Sequence, residues 1–315
     1  MNSTHLHLVH LLLALLLAPL LPGIINQVKA RFAGRQGKPL LQTYYDLIKL
    51  LRKSEVLSTS STWVFQAGPI ISLSMMLCAL ALLPLAGVPS FFAFQGDFML
   101  AAYLLGMGRF ALSLSALDTG SPFEGMGASR EAAFSALAEP VIFLCFFCLA
   151  RSALFPNPEL YLSLSGMFAG APISAWSTGR PELLLIPVVL FVLLLVENCR
   201  IPVDDPDTHL ELTMIHEVII LDHSGPGLAY ILYGSALKLW FFSALLAGVL
   251  VPALTRAEAS VWTHLALSVG VILGTAVLVG VVESVMARLR LWRVSPLLGS
   301  AGALAGLTLT LTLMR

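Results

Sequence analysis

The sequence predicts an all-α membrane protein: about eight transmembrane helices, a short amphipathic interfacial helix, and an acidic helix in a cytoplasmic loop. Three observations predict it. Of 315 residues, 57% are hydrophobic and only 11% charged, and the mean hydropathy is +0.87, far above a soluble domain. Eight apolar runs, roughly 5–24, 69–88, 97–117, 131–154, 182–199, 228–252, 262–285 and 295–313, approach the ~20 residues that a helix needs to cross a ~30 Å hydrocarbon core. The basic residues gather in two of the intervening loops. No soluble domain, internal repeat or low-complexity tail interrupts the pattern, so residues 1–315 read as one polytopic membrane domain.

The first run, "LHLVHLLLALLLAPLLPG", lacks the basic n-region and small-residue cleavage site of a secretory signal. Its basic residues follow it instead, which favours an uncleaved first span. The loop 25–68 carries Lys29, Arg31, Arg35, Lys38, Lys49, Arg52 and Lys53, and the last loop carries Arg288, Arg290 and Arg293. With eight spans, these loops share a face with 118–130 and 198–227, and the positive-inside rule makes that face cytoplasmic, with both termini outside. Within the first loop, "LLQTYYDLIKLLRK" places Leu40, Leu41, Tyr44, Leu47, Ile48 and Leu51 on one side at helical spacing, too short to span and suited to the interface plane. An anchoring helix and a helix that also docks another subunit both fit.

The third loop, "LDTGSPFEGMGASRE", is dense in glycine and small polar residues, with Ser129 as a candidate cap for the fourth span,. Cys145 and Cys148, at i, i+3 in "LCFFCLA", lack further ligands nearby, so they read as small core residues rather than a metal site. No metal or cofactor is expected in this chain. Eighteen Lys+Arg balance eighteen Asp+Glu, so net charge points to no partner, and nucleic acid is not expected.

The fifth span leads into "RIPVDDPDTHLELTMIHEVIILD", which holds six carboxylates in 23 residues. Asp205-Pro206-Asp207 reads as a helix start. On that helix Asp207 and Glu211 share one face and His209 and His216 the opposite one, with Glu217 nearer the carboxylates. A solvated loop helix and a helix wedged between membrane and partner are both compatible. Inside the spans, Arg109, Glu139, Lys238 and Glu283 occupy positions where a charge costs from ~2.5 kcal/mol upward at mid-bilayer. Glu131, Glu139, Glu197 and Glu283 fall in the cytoplasmic halves or margins of their spans. Together with the loop they could form a line of carboxylates into the membrane, able to exchange protons where burial raises their pKa. Static salt bridges, for instance Arg109 or Lys238 neutralising Glu139, are the competing reading.

The eight spans, the basic first loop, "DTGSPFEGMGASREA" followed by "EP", and "ENCRIPVDDPDTHLELTMIHE" together resemble the complex I subunit 1 family, specifically its membrane-bound group 4 [NiFe]-hydrogenase and formate hydrogenlyase branch. Against the quinone-reducing branch, His209 stands where that loop carries an acid, and the stretch after Leu212 is longer, which disfavours a quinone site. The resemblance implies a non-redox anchor and coupling subunit in the inner membrane, with the [NiFe] centre and iron–sulfur clusters held by partners. Those partners would be the hydrogenase large and small subunits, an iron–sulfur subunit and antiporter-like membrane subunits. It implies a coupling loop containing Asp204, Asp207, His209, Glu211, Glu217 and Asp222, and a peripheral-arm interface around Arg35, Asp118 and Arg130. It makes Glu131, Glu139, Glu197, Glu283, Lys238 and Arg109 candidates for moving protons or sodium. Two other functions remain open at this stage: the quinone-site subunit of a complex I type dehydrogenase, and a stand-alone secondary transporter.

Overall fold

A computed structural model describes residues 3–152, 162–169, 184–204, 214–255 and 260–314. The described residues form no β-strand beyond an isolated bridge between Leu85 and Val88. The helices are α1 (Ser3–Leu17), α2 (Leu20–Phe32), α3 (Gln42–Leu51), α4 (Trp63–Ala81), α5 (Asp97–Asp118), α6 (Pro122–Ser152), α7 (Leu164–Ala169), α8 (Leu185–Glu197), α9 (His216–Ile219), α10 (Gly225–Leu254), α11 (Val261–Val285) and α12 (Val294–Leu313). Six of the described helices are long and apolar enough to cross a membrane, and the pair α1 and α2, bent by 41°, makes a seventh. At 13 residues, α8 rises only ~20 Å at 1.5 Å per residue, short of a full crossing. Every one of the eight predicted runs thus corresponds to apolar helix.

The bend in the first span has a local cause. Pro19 has no N–H to give to the carbonyl of Leu15. The Tyr233 hydroxyl donates to that oxygen at 2.9 Å, and the Tyr44 hydroxyl donates to the next one, on Leu16. These two tyrosines, from α10 and α3, satisfy carbonyls that would otherwise be orphaned in an apolar setting. The helix then continues to Phe32, so Lys29 and Arg31, expected in the loop, stand on its last turns. Amphipathic α3 forms as the spacing predicts, with its apolar stripe divided. Leu47 is buried against the bundle, while Leu41, Tyr45, Ile48 and Leu51 stay exposed, as a helix lying in an interface requires.

The centre of the bundle is α10, which buries Trp240, Phe241 and Phe242 on successive faces; a helix apolar all round belongs in a core. Around it α4 pairs with α5, α2 with α11, and α12 with α6. A Cβ at Gly68 would sit 2.5 Å from the Ser115 Cβ, so α4 and α5 approach as closely as they do because residue 68 has no side chain.

The ends of α2, α5, α8 and α11 and the starts of α4, α6, α10 and α12 share one face. The loop connecting α5 and α6 is shorter than the sequence suggested. Helix α6 begins at Pro122, so the glycine-rich stretch is helical, and Ser129 lies inside the helix with its hydroxyl donating to the Met126 carbonyl. Gly127 allows close approach of this chain's own loop: a Cβ there would meet Ile219 Cγ1 at 3.0 Å and the Ile215 carbonyl at 3.1 Å. The acidic loop also differs. Asp205, Asp207, His209 and Glu211 lie outside the described residues, but Met214 and Ile215 are non-helical and the helix seen is the single turn α9. An unbroken helix from 206 to 222 is therefore not what forms. Asp204 Oδ2 accepts from the backbone N–H of Ile215 at 2.8 Å and of His216 at 3.3 Å, just ahead of that turn.

Candidate functional site

Near the middle of α5, Arg109 reaches into the bundle and joins two carboxylates. Its guanidinium donates to Glu197 Oε1 at 2.5 Å and Oε2 at 2.7 Å, and to Glu139 Oε1 at 2.6 Å. Glu197 Oε2 is also 2.9 Å from Lys238 Nζ on α10. Four helices, α5, α6, α8 and α10, each supply one member of this chain of charges. Glu197 is sealed at 2% side-chain exposure, whereas Glu139 is 42% exposed. Glu131, two turns before Glu139 on α6, completes the group: its Oε2 lies 3.7 Å from the Cys199 thiol.

All of these charges but Glu139 border a cavity of about 80 Å³ that Ser72, Arg109, Glu131, Glu197, Asn198, Cys199, His216, Ser235 and Lys238 line together with apolar side chains. A cavity of that size has room for several waters, each taking about 10–15 Å³. Among the described residues, Asn198 Oδ1 and His216 Nε2 are buried without a hydrogen-bond partner, and both residues line this space. Buried polar atoms of that kind are met by water. Asn198, Cys199, His216 and Ile219 belong to the segments flanking the acidic loop, so the loop face and the charged cavity share a wall.

Glu283 does not join this group. Its carboxylate, fully sealed, lies 3.1 Å from Lys29 Nζ and 3.5 Å from Arg200 on the turn after α8. Beside it Arg288 pairs with Asp204 at 2.7 Å, and the Leu289 N–H donates to the Pro202 carbonyl. Asp204, expected in the coupling loop, is buried and ties that loop to the turn after α11. The remaining predicted residues are spread over the loop face. Arg130 donates to the Met214 carbonyl at 2.7 Å. Asp118 accepts from the Thr62 N–H at 2.6 Å and the Phe65 N–H at 3.2 Å, and so caps α4. Arg35 and Asp222 are exposed and Glu217 is partly so.

Sequence reasoning missed the counter-ions Lys29, Arg200 and Arg288, which look like ordinary loop cations. It also missed two buried polar residues at the loop face. Glu124 accepts from the Thr119 hydroxyl and, at 3.1 Å, from the Asp222 N–H. His223 stacks on Phe65, with ring centroids 4.1 Å apart and planes 9° from parallel, and its Nε2 is 3.0 Å from Ser115 Oγ. Burial holds its pKa down at about 4, so the imidazole is neutral there.

The sequence profile of the NADH dehydrogenase family matches residues 5–312. Hydrogenase-4 component C of Escherichia coli (strain K12) is 34% identical over 278 residues, covering 87% of this chain and 84% of that protein. Formate hydrogenlyase subunit 4 of the same organism is 31% identical over 287 residues, 90% of each chain. In fold, the chain resembles one from the membrane-bound sulfane sulfur reductase, an archaeal respiratory membrane complex, with a TM-score of 0.78 at 17% identity over 99% of this chain and all of that one.

Proposed function

Since this chain belongs to the NADH dehydrogenase (subunit 1-type) family and is similar to hydrogenase-4 component C and formate hydrogenlyase subunit 4, we propose that it is the membrane anchor and coupling subunit of an energy-converting [NiFe]-hydrogenase complex. In this reading it sits in the inner membrane with its loop face in the cytoplasm and both termini outside. It carries no redox centre. The [NiFe] centre and iron–sulfur clusters belong to hydrogenase large and small subunits and an iron–sulfur subunit docked on that face, around Arg35, Asp118, Arg130, Glu217 and Asp222. Antiporter-like subunits lie beside it in the membrane.

One observation carries the mechanism: Asn198, Cys199 and His216, at the edges of the acidic loop, wall the same cavity as Arg109, Glu131, Glu197 and Lys238. A displacement of the loop by the docked arm changes the size and hydration of that cavity directly. Glu197, gripped by two cations, stays ionised and acts as the fixed point. Glu131 and Glu139, more loosely held, take up and release protons as the field around Arg109 changes. Glu283, with Lys29 and Arg200 against it, braces the loop instead of relaying protons.

The test is extraction of the native complex in mild detergent, followed by identification of its polypeptides and assay of nickel and hydrogen evolution. Nickel and hydrogenase activity co-purifying with this chain are expected. A nickel-free assembly that reduces quinone would overturn the assignment. The coupling role is checked with Glu197→Gln, expected to leave hydrogen evolution within about threefold while abolishing the accompanying pH gradient.

A further inference from the structure

Helix α11 presents an uninterrupted apolar surface. From 266 to 285 its exposed residues are all apolar, Leu267, Val277, Leu278 and Val285 among them, as a helix facing hydrocarbon requires. Exposed tryptophans mark its two ends, Trp262 in its first turn and Trp292 in the loop that follows it. Its 25 residues rise ~37 Å at 1.5 Å each. That length carries both rings to the headgroup level on either side of a ~30 Å hydrocarbon core.

At the loop face this surface turns basic. There α2 and α11 run in contact: a Cβ at Gly280 would sit 2.8 Å from the Val28 Cβ, and Lys29 pairs with Glu283 across the two helices. Just beyond that pair, Arg31 and Phe32 end α2, while Val285 ends α11 and Met286 opens the loop to α12. The loop is held to this corner by the Leu289 N–H on the Pro202 carbonyl and by Arg288 on Asp204. It exposes Arg290, Trp292 and Arg293, with the Arg293 guanidinium 5.1 Å from the centre of the Trp292 ring. Phe32, Val285 and Trp292 are each more than half exposed. Among the described residues, Arg31, Arg290 and Arg293 pair with no acid, and the acids of this corner, Glu283 and Asp204, are sealed against Lys29, Arg200 and Arg288. No side chain caps the helix start at 291–294, so its dipole adds to the arginines in favouring an anion.

We propose that this corner binds an anionic phospholipid, with Arg31, Arg290 and Arg293 on its phosphate, Trp292 at the level of its glycerol and its acyl chains along α11. The parts of a phospholipid meet matching chemistry in order: guanidinium groups suit phosphate oxygens, an indole suits the interface, and the apolar helix suits the chains. A zwitterionic lipid brings its own cation and leaves the arginines uncompensated, whereas an anionic one gains about fivefold for each arginine near it. The bound lipid would hold the ends of α2 and α11 beside the Lys29–Glu283 pair. The proposal stands whether or not the chain serves a hydrogenase.

The experiment uses the whole complex in its native membrane, with photoreactive p-benzoyl-phenylalanine in place of Met286, which borders the patch and carries no charge. After irradiation, the adduct on the peptide that contains residue 286 is identified by its mass. An anionic phospholipid is expected, enriched at least fivefold over its share of the membrane lipid. Arg290→Gln combined with Arg293→Gln should remove that enrichment, while Arg293→Lys, which keeps the charge, should retain most of it. Arg31→Gln, on the other helix, should lower the enrichment at least twofold and serves as the reading should the double variant not accumulate. An adduct to protein, or lipid adducts in the proportions of the bulk membrane, would overturn the proposal, as would enrichment that the arginine substitutions leave unchanged. Added inorganic phosphate should not alter the yield; if it suppressed the adduct, the arginines would be a site for free phosphate and the lipid assignment would fall.

Discussion

Two groups of buried charges, built from the same ingredients, sit on either side of the turn at residues 198–204. Arg109, Glu139, Glu197 and Lys238 form a chain across four helices beside a cavity that water can enter. Lys29, Glu283 and Arg200, with Arg288 and Asp204 next to them, form a closed knot in which both carboxylates are 2% exposed or less. Buried ion pairs alone say little about function. What separates the groups is exposure: the Glu139 side chain is 42% exposed, whereas that of Glu283 is sealed.

The largest expected effect breaks the closed knot. Glu283→Ala removes the carboxylate shared by two partly buried cations, Lys29 and Arg200, and removing one member of a buried charge set costs about 3–5 kcal/mol. The variant should be visibly less stable in denaturant or heat titrations in detergent, whereas an unchanged unfolding midpoint would place Glu283 in the working group. Next comes acid sensitivity at the loop face. His223 titrates at about 6.5 when unfolded and about 4 when buried, so between those values the unfolded chain holds the extra proton. Its contribution is full above pH 6.5 and falls by up to about 3 kcal/mol as pH drops toward 4. His223→Phe, which keeps the stack on Phe65, should flatten stability between pH 6.5 and 4. A smaller effect, about 1 kcal/mol, is expected when Asp118→Ala removes the cap of α4. The smallest is Glu139→Gln: the amide still accepts from Arg109, and the unfolding midpoint should move by less than that of Asp118→Ala.

Much of this was legible in the sequence. Run length and hydropathy located all eight apolar helices, because crossing a bilayer demands them whatever the tertiary packing. Single charges at Arg109, Glu139, Glu197 and Lys238 were conspicuous because hydrocarbon makes them expensive, and they do meet. Their pairing was legible only in part: Arg109 against Glu139 was one of the alternatives and it forms, but that Glu197 takes both cations depends on helix rotation and tilt, set by contacts such as Gly68 against Ser115. Glu283 was misplaced for that reason. Nothing in "VVESVM" shows that Lys29, 254 positions earlier, would lie beside it. The start of α6 was misjudged because glycine-rich sequence favours a loop locally, while tertiary contact across Gly127 favours a helix with a bare face. His223 and Glu124 escaped notice because their burial comes from residues distant in sequence: Phe65 and Ser115 around His223, and Asp222 against Glu124.

The central claim is that the open group, not the closed one, carries the coupling. Inverted membrane vesicles holding the intact complex with Glu139→Gln, driven by its electron donor, allow hydrogen evolution and internal acidification to be recorded together. Hydrogen evolution at half the parental rate or better, with acidification per hydrogen reduced at least tenfold, is the predicted result. Acidification per hydrogen equal to that of the parental complex would contradict it.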